Sequence, residues 1–243
     1  MRKVILSGKS AMTIAICFLM LQCVSVHSSG DDNASEISDP KDLTGFNSIG
    51  FNIPGTLYLE QDSAFSVSFE GKEEDLEKII TKIEGDILII KTKPGSFSMG
   101  DVTVYVSMPV VKGLNVSGSG NIVAENLIKS TEIQLNVSGS GNIKLNDLNS
   151  TEVVSSISGS GGVDLKGAEN ESLTINIAGS GDFISDELSS KNVVVSIAGS
   201  GSAKVFASEK LKTDIAGSGD VYYKGEPLVN ANSVGSGSTK SIN

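Results

Sequence analysis

The chain has 243 residues, a formal net charge of −10, two cysteines and no tryptophan. An acidic surface with one arginine, Arg2, repels phosphate backbones, which excludes nucleic acid as a partner. Its cysteines, Cys17 and Cys23, both lie near the N-terminus, so packing and backbone hydrogen bonds must hold the rest together without disulfides or thiolate metal sites.

Residues 1–28 read as an export signal. Arg2, Lys3 and Lys9 form a basic start, and Ala11 to Leu21 is an apolar run too short to span a bilayer. Two exits are open: cleavage after a small-residue site such as Val26-His27-Ser28, or lipidation of Cys23. Gln22 is larger than the residue expected beside a lipidated cysteine. Removal of the signal takes away Arg2, Lys3 and Lys9, leaving 16 basic against 29 acidic residues, a net charge near −13. A cut at Ser28 also removes His27, the one histidine. The mature chain has no apolar run of about 20 residues, so no membrane span is expected. Residues 29–42 lack any apolar period and read as a disordered linker.

The main domain is expected over 43–238, with an irregular N-terminal cap at 43–110 and regular coils at 111–238. In the cap, Ile49 to Leu59 and Phe65 to Phe69 read as strands. Lys72 to Ile83 opens acidic and sets Leu76, Ile79, Ile80 and Ile83 on one helical face, which predicts a short amphipathic helix stopped by Gly85. Ile87 to Lys91 and Val102 to Val106 are further strands, the second ended by Pro109. A cap is needed because an open solenoid edge would pair with another chain.

From residue 118 onward Gly-Ser-Gly occurs seven times, starting at Gly118, Gly139, Gly159, Gly179, Gly199, Gly217 and Gly235, with steps of 21, 20, 20, 20, 18 and 18 residues. A fixed period of this length marks a stacked solenoid. Two residues before each of the first six triplets stands Val116, Val137, Ile157, Ile177, Ile197 or Ile215, and a small residue follows it. Two residues after these triplets stand Ile122, Ile143, Val163, Phe183, Ala203 and Val221. Leu127, Leu148, Ala168 and Leu188 suggest a third side, and Ile133 with Leu135, Val153, Leu173 with Ile175, and Val193 with Val195 a fourth cluster. Within each short segment the period is two, as in half-buried strands. The prediction is an all-β fold: a right-handed parallel β-helix, or solenoid, of about 20-residue coils with an N-terminal cap containing one short helix. Glycine suits the repeated corner, and the middle serine is expected to bond its neighbours along the stack. In the last copy Val234 directly precedes Gly235, so the small position is missing or shifted, and nothing in the sequence identifies a cover for that end.

Together these features resemble the head GIN domain family of exported bacterial adhesins. The likeness covers about Leu43 to Ser238. It rests on Gly45-Phe46-Asn47 leading into a strand, the Glu-Asp-Leu-Glu segment, Glu84-Gly85-Asp86-Ile87-Leu88-Ile89-Ile90, the Val106 to Pro109 stretch and the serial Gly-Ser-Gly turns. The resemblance implies a right-handed β-helix-like solenoid and an adhesin-like role in the periplasm, at the outer membrane or on the cell surface. It transfers no site residue and implies no cofactor.

The residues after each triplet, among them Asn121, Asn142, Asp182 and Asp220, form a column that could offer oxygens to Ca²⁺, or could be polar turn residues bonding the next coil. The latter reading is favoured, because the acids lie two coils apart. Asp186-Glu187 and Asp31-Asp32 are adjacent carboxylates, read as solvated surface and not as a glycosidase pair. With no histidine in the chain cut at Ser28, seryl chemistry is left only a Ser-Lys arrangement, and the repeated serines are too alike to supply one nucleophile. Of Tyr222 and Tyr223, strand alternation turns one inward and one outward. The expectation is therefore a non-catalytic envelope or surface interaction module, without cofactor or metal, whose partner is a protein or glycan. The alternatives are a glycan-binding or polysaccharide-active β-helix protein, and a structural envelope protein that self-associates.

Overall fold

The computed structural model describes residues 2–7, 43–96 and 98–243. The expected leader beyond residue 7, Cys23, Asp31-Asp32 and the linker at 29–42 lie outside the described residues. Sixteen strands and one helix are present among the described residues. They are β1 (Arg2–Ser7), β2 (Ser48–Asn52), β3 (Gly55–Gln61), β4 (Ser66–Gly71), α1 (Glu73–Leu76), β5 (Ile79–Glu84), β6 (Ile87–Thr92), β7 (Val102–Met108) and β8 (Gly113–Gly118). Five long bent strands follow: β9 (Asn121–Gly139), β10 (Asn142–Gly159), β11 (Gly162–Gly179), β12 (Asp182–Gly199) and β13 (Ser202–Gly217). The chain closes with β14 (Asp220–Lys224), β15 (Leu228–Gly235) and β16 (Ser238–Ser241).

Each long strand wraps one coil and pairs in parallel with the next. Asn142 stands beside Asn121 and Gly159 beside Gly139, and the same register repeats through β13. The result is a β-solenoid of about six turns. Period-two alternation sends one side of every segment inward. The columns Val116–Val137–Ile157–Ile177–Ile197–Ile215 and Ile122–Ile143–Val163–Phe183–Ala203–Val221 are both buried. Phe183 lies beside Ala203, a large side chain next to a small one, as close packing along a stack requires.

The Gly-Ser-Gly corner explains why glycine is used. Gly159 has φ +122°, and a Cβ there would lie 2.4 Å from the Gly139 carbonyl oxygen. Gly161 is held by approach alone: its Cβ would lie 2.0 Å from the Gly141 oxygen. The middle serine does not act as expected. Its backbone N–H makes the bond between coils, as in Ser160 N to Gly139 O at 2.8 Å, while its hydroxyl faces solvent.

Two local expectations are corrected. The helix is only four residues long, and Ile79–Glu84 is a strand antiparallel to β6 across a two-residue Gly85-Asp86 turn with φ +64° at Gly85. β-branched Ile79, Ile80, Thr81 and Ile83 fit a strand, and pairing with β6 satisfies the backbone that a short isolated helix would leave frayed. On the third side, Leu127 and Ala168 are exposed, and Ile128 stands beside Leu148 in place of Leu127. Register shifts between Leu145 and Asp147, and around Lys166, displace the strict period there.

The two ends differ. At the N-terminal end, β4 runs antiparallel to β7 and β5 antiparallel to β6, with Phe46 and Phe65 packed at 4.8 Å between ring centres. The β1 backbone runs antiparallel along the other edge of β4. If the leader is cleaved as the sequence reading expects, β1 is lost and β4 ends that face. At the C-terminal end the register is unbroken: Val234 stands on Ala216 and Gly235 on Gly217. All eight residues of β15 are exposed.

Candidate functional site: the outer faces of the solenoid

The residues after each Gly-Ser-Gly do form one column, running from Asn121 through Asn142, Gly162, Asp182, Ser202 and Asp220 to Ser238. Their oxygens are engaged along the stack. Asn142 Nδ2 donates to Asn121 Oδ1 at 2.8 Å, and Ser202 Oγ to Asp182 Oδ1 at 2.6 Å. Ser238 donates to Asp220 Oδ1 from both N, at 2.9 Å, and Oγ, at 2.5 Å. The Ser238 hydrogen bond is the main reason the Asp220 carboxyl is held below the usual range. The column thus works as a set of staples between coils. Among the described residues no three His, Cys, Asp or Glu side chains gather where they could hold a metal ion.

The next outward row runs Tyr105, Tyr58, Val123, Lys144, Asp164, Ile184, Lys204, Tyr222, Lys240. Tyr58 and Tyr105 stack at 5.6 Å with a 19° interplanar angle, beside a depression of about 230 Å³ that Glu60 and Glu125 also line. The sequence reading missed this pair, because its members lie in different coils of the irregular region. Of the two tyrosines that the period-two pattern turns to opposite sides, Tyr222 is the outward one, its hydroxyl donating to Asp220 at 3.2 Å, and Tyr223 packs against the core.

Asp186 and Glu187 do not act as a pair. Partial burial pushes the Asp186 carboxyl up, but hydrogen bonds from Lys224 at 2.7 Å and Lys204 at 2.9 Å outweigh this and leave it below the usual range. Glu187 turns to Lys166 at 2.7 Å, and that hydrogen bond raises the lysine above its usual value. Both carboxylates serve as charge braces across coils.

The face before each corner has a different character. Its outward columns are Gln134–Val154–Thr174–Val194, Asn115–Asn136–Ser156–Asn176–Ser196 and Ser117–Ser138–Ser158–Ala178–Ala198. None of these residues is charged, in a chain where 20% of residues are. Within these columns charge enters at β13, with Lys212 and Asp214 paired to each other at 2.9 Å; Glu132 and Glu152 stand in the adjoining outward column, and Gln134 Nε2 donates to Glu132 Oε1 at 3.3 Å. Asn136 Nδ2 donates to Asn115 Oδ1 at 2.7 Å, so the amides also line up along the stack. A depression of about 350 Å³ lies over this face between Ser156 and Asp214. The lysines stand in other columns, and these three are left neutral from β8 to β12.

Known structures share this architecture. A "putative adhesin" from Bacteroides fragilis is 21% identical, with TM-score 0.77, over 82% of this chain and 93% of that one. A "putative lipid binding protein" from Parabacteroides distasonis is 24% identical, with TM-score 0.70, over 83% and 94%. A "putative adhesin" from Parabacteroides merdae is 22% identical, with TM-score 0.66, over 83% and 93%. At these identities the likeness is one of fold. A comparison with curated proteins gives no match. Residues 45–227 match the family model described as "Putative auto-transporter adhesin, head GIN domain", and the chain belongs to that family.

Proposed function

We propose that the protein is a non-catalytic, exported cell-envelope or surface module that binds a partner through the neutral outer face of its solenoid. The observation that carries this reading is the uncharged three-column surface over β8 to β12. A neutral, flat, regularly spaced surface loses little solvation energy when covered, whereas charged groups resist desolvation. Family membership supports an adhesin-like role, and the described residues contain no helix long and apolar enough to cross a membrane. The leader at 1–28, with Cys23 as an alternative lipid anchor, would deliver the domain to the periplasm, the outer membrane or the cell surface.

The test is an array of glycans, mucins and envelope proteins probed with the full chain, with Ca²⁺ and with chelator. Saturable binding that falls at least tenfold in Asn176→Lys and Ser196→Lys, with unchanged melting, is expected. Binding that ignores both substitutions would move the site elsewhere. The Tyr58–Tyr105 pair and its flanking carboxylates favour a glycan ligand as the second reading; loss of binding in Tyr58→Ala alone would select it.

A further inference from the structure

The outer edge of the last coil has a symmetry of its own. β15 pairs in parallel with β13, and among the described residues no strand lies along its other edge. Edge strands are normally guarded by lysine, proline or a bulge. Here Leu228 to Thr239 carries no charged residue, whereas the stretch of β13 beneath β15 holds Lys210, Lys212 and Asp214.

The sequence Leu228-Val229-Asn230-Ala231-Asn232-Ser233-Val234 is a near-palindrome about Ala231. Val229, Ala231 and Ser233 continue the inward columns of Leu211, Thr213 and Ile215, while Leu228, Asn230, Asn232 and Val234 face outward. A two-fold axis perpendicular to this face, beside Ala231 at the free edge and midway between the two strands, would lay β15 antiparallel to a second β15. Opposed residues then share a face, as antiparallel pairing demands. Leu228 meets Val234 of the second copy, Asn230 meets Asn232, Val229 meets Ser233, and Ala231 meets itself. Leu228 and Val234, at 76% and 70% exposure, are the two most exposed large apolar residues described, and this register covers both with each other. The opposite end of the solenoid presents antiparallel strands, so a head-to-tail stack would not repeat this match.

We propose that the occupant of this edge is a second copy of the chain, joined tail to tail through β15 in an isologous, closed contact. The assembly points its two N-terminal ends in opposite directions and continues the interior of one solenoid into the other.

Sedimentation of the full chain across micromolar concentrations tests this. The mass should rise with concentration from 25.2 kDa to twice that value and stop there. Val234→Lys alone and Leu228→Glu alone should each weaken dimerisation at least tenfold, since each sets a charge against an apolar side chain. The double variant Leu228→Glu/Val234→Lys should recover it, because each introduced carboxylate then faces an introduced ammonium of the other copy. Monomeric melting should be unchanged by either substitution, as both side chains are exposed. A monomer at all concentrations overturns the proposal. So does a dimer or larger aggregate that ignores the single variants, or a double variant no better than the singles.

Discussion

Replacement of Gly161 by alanine tests whether the corner glycines are there for close approach. At Gly161 the added Cβ would sit 2.0 Å from the Gly141 oxygen and 2.7 Å from Val137 Cγ1. Ordinary contact begins near 3.4 Å, so a local opening of more than 1 Å is required. That motion works against the Ser160 and Gly161 N–H bonds to Gly139, at 2.8 and 2.9 Å. Overpacking of this kind costs about 1–3 kcal/mol, and a strained or lost backbone bond about another 1 kcal/mol. Gly159→Ala adds left-handed backbone strain of about 1–2 kcal/mol to its own 2.4 Å clash. Ser160→Ala, which removes only a solvent-facing hydroxyl, should stay within about 0.5 kcal/mol of wild type. Urea unfolding followed by circular dichroism would compare the three. The reasoning fails if Gly161→Ala is neutral, or if Ser160→Ala costs more than about 2 kcal/mol.

Three further outcomes are expected. Ser155 Oγ is buried without a partner between Leu135 and Ile175, so Ser155→Val should raise stability by about 1 kcal/mol; a lower melting temperature would mean the site is too tight for the branch. Asp186→Ala should cost about 1–3 kcal/mol at pH 7, because Lys204 and Lys224 then face each other without their shared carboxylate. The Asp186 carboxyl is depressed in the folded chain, so its stabilisation is present above the unfolded value near 4 and lost as pH falls through the folded value; the gap between wild type and variant should therefore close in acid melts, and a gap that widens there would contradict the assignment. Millimolar Ca²⁺ should leave the melting temperature unchanged, since the Asp182 and Asp220 oxygens already bond Ser202 and Ser238; a rise of several degrees that Asp220→Asn abolishes would restore the metal reading.

The regular coils were legible because one physical cause repeats. A corner that needs glycine and a two-residue alternation leave the same trace every turn, and the buried columns from Val116 to Ile215 follow it without exception. Legibility failed where a single local event broke the period. The register shift after Leu145 exchanged Ile128 for Leu127, and at Gly167 a Cβ would lie 2.1 Å from the Leu148 oxygen, so no apolar side chain can fill that rung. At Ile79 to Ile83 the apolar spacing suits helix and strand alike, and only pairing with β6, a tertiary fact, decides between them. Of the candidate site residues, the Asn and Asp column was located correctly as a stack. The stacked Tyr58 and Tyr105 lie 47 positions apart in an irregular region, so no period could join them.

The parallel pairing of coils has a mechanical consequence. Bonds between successive coils point along the long axis, so a pull between the two ends loads the coils in series, one rung's bonds after another. A tether at the N-terminal end and a load applied sideways at β11 would strain only the rungs from β11 back to the tether. The coils beyond would carry no tension. The position of a contact along the solenoid therefore decides how many rungs stand between the load and the anchor, and shifting it by one coil changes that number by one.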